Sequence, residues 1–155
     1  MADEHDEEPA RPAASLDDWA SELQAGIDDQ ALSHYGPEAF RRWKTLPAMG
    51  RVPKADGVGR LTGACGDTIE ISLTIDADRI VTGAFFSDGC GASQVCASVA
   101  VELAIGTSVD AAYDITDAQI LAVLPGFPAD ETHCAFLAAE ALRQALQDAS
   151  QRSRA

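Results

Sequence analysis

From Thr68 to Asp76 the chain alternates without a break. Ile69, Ile71, Leu73 and Ile75 are apolar, and Thr68, Glu70, Ser72 and Thr74 lie between them. A helix would scatter these residues around its axis; an extended strand puts all four apolar side chains on one face. Asp76-Ala77-Asp78 reads as a turn, and the β-rich run Arg79–Phe86 follows it, so the pair predicts an antiparallel hairpin. Arg60–Ala64 predicts a further strand. A small sheet with one apolar face must be covered, and the rest of the sequence supplies helices to cover it. The expected fold is α+β: an antiparallel sheet of about three strands, packed on one face by helices.

The helical patterns lie on both sides of the sheet segment. Leu16, Trp19, Ala20, Leu23 and Ile27 predict an amphipathic helix over 16–32, broken at Gly26. Pro37–Lys44 predicts a short helix with Pro37 at its first turn and Phe40 and Trp43 as apolar anchors. Pro47, Gly50, Pro53, Gly57 and Gly59 read as an irregular connection. Beyond Gly91, a stripe of Ala92, Val95, Cys96, Val99 and Leu103 predicts a helix that stops at Gly106. Thr107 or Ser108 caps a short helix near 108–113, and another spans Asp117–Leu124 up to Pro125. The long last helix is expected from Glu131 to Gln147, with Cys134, Leu137, Ala138, Ala141, Leu142 and Ala145 inward.

Charge narrows the function classes. The 155 residues carry a formal net charge of −14, which argues against nucleic acid as a partner. Residues 1–30 hold ten acids and one arginine, and 1–15 read as an acidic disordered tail. The only positive stretch is Arg41, Arg42, Lys44, Arg51, Lys54 and Arg60, either a solvated surface or a docking face for an acidic partner. No apolar run reaches the roughly 18–20 residues of a membrane span, and MADEHDEEPA lacks the apolar segment of a signal peptide. The expected compartment is the reducing cytoplasm, where cysteines serve as ligands, nucleophiles or core residues rather than disulfides. The expected organisation is the tail (1–15), a helical extension (16–32), one domain (33–150) and a flexible end (151–155).

Three of the four cysteines stand at punctuated places. Cys65 lies in Gly63-Ala64-Cys65-Gly66-Asp67, between strands. Cys90 lies in Asp88-Gly89-Cys90-Gly91, between a strand and a helix. Cys134 follows His133 in the first turn of the last helix. Flanking glycines let backbone approach a ligand closely, and a helix N-terminus favours the thiolate. Cys65, Cys90 and Cys134, with Asp67 or His133 as a fourth ligand, form a set suited to zinc or an iron–sulfur cluster. No CxxC pair is present, so neither a zinc ribbon nor a dithiol motif is signalled. Cys96 falls on the buried stripe and reads as core. His5 and His34 have no motif around them and read as silent. No nucleophile elbow, phosphate loop or paired-carboxylate signature occurs.

Taken together, Gly63-Ala64-Cys65-Gly66-Asp67, Phe86-Ser87-Asp88-Gly89-Cys90-Gly91-Ala92-Ser93 and His133-Cys134-Ala135-Phe136-Leu137-Ala138 resemble the IscU/NifU-type scaffold proteins of iron–sulfur cluster assembly. The resemblance covers about Ser33 to Gln147, with the motifs in the family's order. It implies a scaffold or carrier rather than an enzyme. Such a protein takes sulfur from a cysteine desulfurase, collects iron, builds a labile [2Fe–2S] cluster and passes it to acceptor proteins. By motif position Cys65, Cys90 and Cys134 would be the cluster thiolates, Asp67 the carboxylate that keeps the site exchangeable, and His133 an alternative ligand. Cys134 would receive the persulfide, with Cys65 second. The alternative within the same fold is a zinc-bound sulfurtransferase that accepts persulfide and builds no cluster.

The departures from the family pattern also carry implications. A Leu-Pro-Pro-Val-Lys motif read by a dedicated Hsp70-type chaperone is replaced by Leu124-Pro125-Gly126-Phe127-Pro128-Ala129-Asp130-Glu131, with Glu131 where the lysine would stand. This counts against such a chaperone as a partner. No long insertion separates Cys90 from Cys134, which counts against the zinc-dependent branch.

Overall fold

A computed structural model of the chain describes residues 15–155. The expected acidic tail, apart from Ser15, and His5 lie outside the described residues. The three-stranded antiparallel sheet has the order β1 (Gly57–Thr62), β2 (Thr68–Asp76), β3 (Arg79–Ser87). The alternation of β2 places Ile69, Ile71 and Leu73 fully in the core, each contributing about 1.5–3 kcal/mol by leaving water, whereas Ile75, beyond a register shift at Thr74/Ile75, is only partly buried and Ser72 is buried as well. A two-residue turn joins β2 to β3, with Ala77 and Asp78 both at positive φ (47° and 65°), the twist a tight hairpin needs.

Strand β1 begins at Gly57, three residues before the expected start at Arg60. Gly57 and Gly59 had read as loop punctuation, but their role is non-local. A Cβ at Gly57 would stand 2.1 Å from the Ala145 carbonyl oxygen, and one at Gly59 would stand 2.1 Å from that of Ala141. The strand lies against the backbone of the last helix, and only glycine admits that approach.

Among the described residues there are six α-helices: α1 (Leu16–Tyr35), α2 (Pro37–Thr45), α3 (Gly91–Ala104), α4 (Val109–Tyr113), α5 (Asp117–Ala122) and α6 (His133–Ser153). Helices α3 and α6 pack on the buried face of the sheet, α3 against β3 and α6 against β1, and against each other. Val95, Cys96, Val99, Leu142 and Leu146 form the core with the strand residues, and Cys96 is a core residue as expected. Gly106, at φ 85°, marks the stop after α3. Ser108 caps α4 by accepting from the Ala111 N–H. Helix α5 ends at Ala122, two residues short of the expected Leu124.

Three further boundaries differ from the sequence reading. Helix α1 runs through Gly26 to Tyr35, so the expected division at 32/33 falls inside it. Nothing lies within 4 Å of a Cβ at Gly26, and the only cost there is glycine's backbone entropy of about 1 kcal/mol. Glu131 does not begin the last helix; it ends a 3-10 turn, Ala129–Glu131, and α6 starts at His133. Helix α6 then continues to Ser153, beyond Gln147.

Helix α1 buries none of its residues, and Trp19 remains 58% exposed. It is held at its N-terminus by a capping box of Ser15 and Asp18 and tied to α2 by a 3.0 Å Lys44–Asp28 ion pair. Phe40 and Trp43 on α2 are half-buried, whereas Ala39 and Arg42 are the residues α2 buries. Five of the six cations in the basic stretch are partnered within the chain. Arg41 and Arg42 bond Glu38, Arg42 also bonds Glu102, Lys44 bonds Asp28, and Arg51 and Arg60 share Glu70. Arg42 is only 5% exposed and acts as an internal tie between α2 and α3. The stretch is therefore much less a free basic face than its sequence suggests. Among the described residues, no helix is long and apolar enough to cross a membrane.

Candidate metal and sulfur site

Three chain segments meet at one end of the sheet. The β1–β2 turn brings Cys65 and Asp67. It is closed by Gly63 N–H donating to Asp67 O (2.9 Å) and Gly66 N–H to Gly63 O (3.0 Å). Gly66 sits at φ 91°, in the left-handed region that favours glycine. The β3–α3 junction brings Cys90, the N-cap residue of α3. The start of α6 brings His133 and Cys134.

The first two segments are stitched together by hydrogen bonds. Thr68 N–H donates to Asp88 Oδ1 (2.9 Å), and Cys90 N–H donates to Asp67 Oδ2 (3.2 Å). Gly89 makes this possible, because a Cβ there would stand 2.6 Å from Asp67 Cγ. The glycine before Cys90 is a seat for the Asp67 carboxylate.

Asp67, Cys90 and Cys134 each offer a ligand atom, and these atoms all lie within 4.8 Å of one another. Two sulfurs and a carboxylate oxygen at that spacing, on three separate segments, can close on one cation or on one edge of a small cluster. Cys65 is not in this tight group; it is exposed on its turn. His133 is exposed, with Nε2 3.6 Å from Cys134 Sγ. Of the residues singled out from the sequence, the fold thus brings Asp67, Cys90 and Cys134 together, with His133 beside Cys134 and Cys65 at the rim.

Burial sets the electrostatics. Cys134 is 0% exposed, and burial pushes its thiol up to about 12. The Ser93 hydroxyl opposes that shift, and the negative charges of Cys90 and Glu131 add to it. This reverses the expectation that a position at a helix start lowers the pKa of this cysteine; desolvation outweighs the helix terminus. Asp67 is held below the ordinary carboxylate value, chiefly by the hydrogen bond from Ser93, against a smaller opposing effect of burial. Burial likewise raises the Cys96 thiol.

Four neighbours of this group were not named as site residues from the sequence, Gly89 having been read only as a glycine beside a cysteine. Ser93, fully buried, donates to Asp67 Oδ2 (2.7 Å) and lies 3.4 Å from Cys134 Sγ and 3.8 Å from Cys90 Sγ. Its only sequence signal is its position three residues after Cys90, on the same face of the first helical turn. Gly89 is the second. Glu131 is the third: its Oε2 lies 3.8 Å from Cys90 Sγ. His34, which had read as silent, is the fourth, with Nε2 3.1 Å from Glu131 Oε1.

Comparison with known proteins finds relatives of this chain in both sequence and fold. The family model described as "NifU-like N terminal domain" matches residues 34–155. The iron–sulfur cluster assembly scaffold protein IscU 1 of Archaeoglobus fulgidus is 34% identical over 115 residues, covering 74% of this chain and 75% of that protein. The iron–sulfur cluster assembly enzyme IscU of Drosophila melanogaster is 34% identical over 128 residues, covering 79% and 82%. Among solved structures, the N-terminal NifU-like protein of Brucella abortus superposes with a TM-score of 0.63 at 16% identity, over 77% of this chain and 96% of that one. That likeness is one of fold.

Proposed function

The chain belongs to the family of NifU-like N-terminal domains, and from that premise we propose that it is a scaffold on which a labile iron–sulfur cluster is assembled and from which it is passed on. The observation that carries this reading is the convergence of Asp67, Cys90 and Cys134 within 4.8 Å. Similar proteins bearing the names of cluster-assembly scaffolds support it. The cluster is cargo, so the protein acts as a carrier rather than as an enzyme of turnover.

In this reading Cys65, Cys90 and Cys134 are the thiolate ligands. Asp67 is the weak ligand that lets the cargo leave, and His133 is its alternate. A carboxylate binds iron less durably than a thiolate does, which suits a site that must release what it holds. Sulfur comes from a cysteine desulfurase as a persulfide. A scaffold thiolate attacks the outer sulfur, the new S–S bond forms, and the donor's cysteine leaves as thiolate. Both Cys134 and Cys65 are candidates for this step. The exposure of Cys65 and the burial of Cys134 favour Cys65 as the first acceptor, reversing the order the sequence suggested. Iron–sulfur acceptor proteins take the finished cluster, and the cytoplasm is the proposed compartment.

The compactness of the trio also favours a second reading, because it suits a single ion. A zinc-bound persulfide acceptor would use the same residues without building a cluster. Anaerobic reconstitution separates the two. Ferrous iron, cysteine, a thiol reductant to carry persulfide sulfur to sulfide, and a catalytic amount of desulfurase are supplied, and iron, sulfide and zinc are counted. A cluster that needs Cys65, Cys90 and Cys134 but not Cys96, and that moves to an apo-ferredoxin, supports the scaffold. Retained zinc without sulfide supports the alternative.

A further inference from the structure

We propose that Glu131 is a further ligand of this site and that His34, reaching over from α1, is the residue that orients it. The inference rests on the reading of Asp67, Cys90 and Cys134 as a site for iron or zinc, and it adds a carboxylate on the Cys90 side of that trio.

The two oxygens of Glu131 point to different partners. Oε1 is 3.1 Å from His34 Nε2, and Oε2 is 3.8 Å from Cys90 Sγ. The side chain is 21% exposed. It projects from the end of the 3-10 turn directly ahead of α6, two residues before His133. A ligating carboxylate is commonly held by a second hydrogen bond on its other oxygen, which fixes the orientation of the ligating one. The His34–Glu131–Cys90 sequence of contacts has that form.

The rival explanation is a surface ion pair that merely pins α1 to the body. An exposed pair of this kind contributes little to stability, and the His34 side chain is half exposed. Pinning also requires only one carboxylate oxygen, and here the second faces a thiol. With Glu131 added, the donors become two sulfurs and two carboxylates. The two hard oxygens are more readily exchanged than the two soft sulfurs, so the site grips on one side and yields on the other.

Zinc and cobalt binding to the metal-stripped full chain test this. Zinc affinity is measured by competition with a chromophoric chelator, and coordination is read from the visible bands of bound cobalt. Glu131→Gln is expected to lower zinc affinity roughly 10- to 100-fold and to shift the cobalt bands. His34→Ala is expected to lower affinity in the same direction by less. Far-UV circular dichroism of the metal-free variants controls for folding, and both positions are at the surface. Zinc affinity of Glu131→Gln equal to wild type would overturn the assignment, and so would lowered affinity with unchanged cobalt bands, the mark of a charge effect alone. Cys90→Ser separates the two levels of the argument. If it binds zinc like wild type, the site reading itself falls; if it loses zinc while Glu131→Gln does not, only the Glu131 assignment falls.

Discussion

Ser93 donates a 2.7 Å hydrogen bond to Asp67 from a position with no exposure to solvent. One hydroxyl thereby holds the carboxylate of the β1–β2 turn against the first turn of α3, beside the Cys134 sulfur. A hydrogen bond to a charged acceptor contributes about 1.5–3 kcal/mol. Ser93→Ala should destabilise the metal-free fold by about that much at neutral pH and weaken zinc binding. The pH dependence has a definite sign. Asp67 is depressed in the folded state, so the contribution is present above the ordinary carboxylate range and lost as pH falls through the lowered value. Urea unfolding of wild type and Ser93→Ala should give a stability gap at pH 7 that closes in acid.

Gly89→Ala should separate the site from the fold. The new methyl would meet Asp67 Cγ at 2.6 Å, and the carboxylate can retreat only by giving up its bonds from Ser93 and Cys90. Zinc affinity should fall at least about tenfold, while thermal unfolding of the metal-free protein shifts by only a few degrees. A zinc affinity matching wild type would contradict the role of Gly89 as a seat for Asp67.

The thiols should divide into two classes. Cys65 and Cys90 are exposed, and Cys96 and Cys134 are buried; burial also raises the thiols of Cys96 and Cys134. Thiolate fraction and access govern reactivity. Iodoacetamide on the native metal-stripped chain should therefore label Cys65 and Cys90 quickly, and Cys96 and Cys134 only after denaturation. Peptide mapping by mass spectrometry reads this directly. With desulfurase and cysteine, the first persulfide should map to Cys65, and a first persulfide on Cys134 would require its segment to open.

Gly59→Ala tests the seat of α6. Its Cβ would stand 2.1 Å from a helix carbonyl oxygen, a clash with backbone that no rotamer relieves. Such overpacking costs roughly 1–3 kcal/mol or more. Gly26→Ala, which meets nothing within 4 Å, should be neutral or stabilising by up to about 1 kcal/mol. The denaturant midpoint should fall for Gly59→Ala and hold level or rise for Gly26→Ala.

The parts of the fold that were legible in the sequence are those encoded locally. Strand β2 declares itself because its alternation needs no knowledge of its neighbours, and Cys90 and Cys134 are marked by the helices they begin. The early start of β1 was hidden because the reason for Gly57 and Gly59 is a helix some ninety residues away in the sequence. Ser93, Glu131 and His34 were hidden for the same reason. None has a local pattern that assigns it a part in the site, and each acquires meaning only where separate segments meet. The pKa of Cys134 was misjudged because a helix start is visible in sequence and depth of burial is not. The pairing of the basic stretch was not legible because several of its carboxylate partners, Glu70 and Glu102 among them, lie in other elements.

The contact of Gly57 and Gly59 with α6 makes the site an asymmetric vice. Cys134 is set in a jaw that cannot travel, because shifting it would drag a 21-residue helix off a strand it meets backbone to backbone. The opposing jaw is the short turn that holds Cys65 and Asp67, closed by two main-chain hydrogen bonds of its own. The two sides are thus held by different means, the helix by close backbone packing against a strand and the turn by hydrogen bonds to the start of α3 and the end of β3.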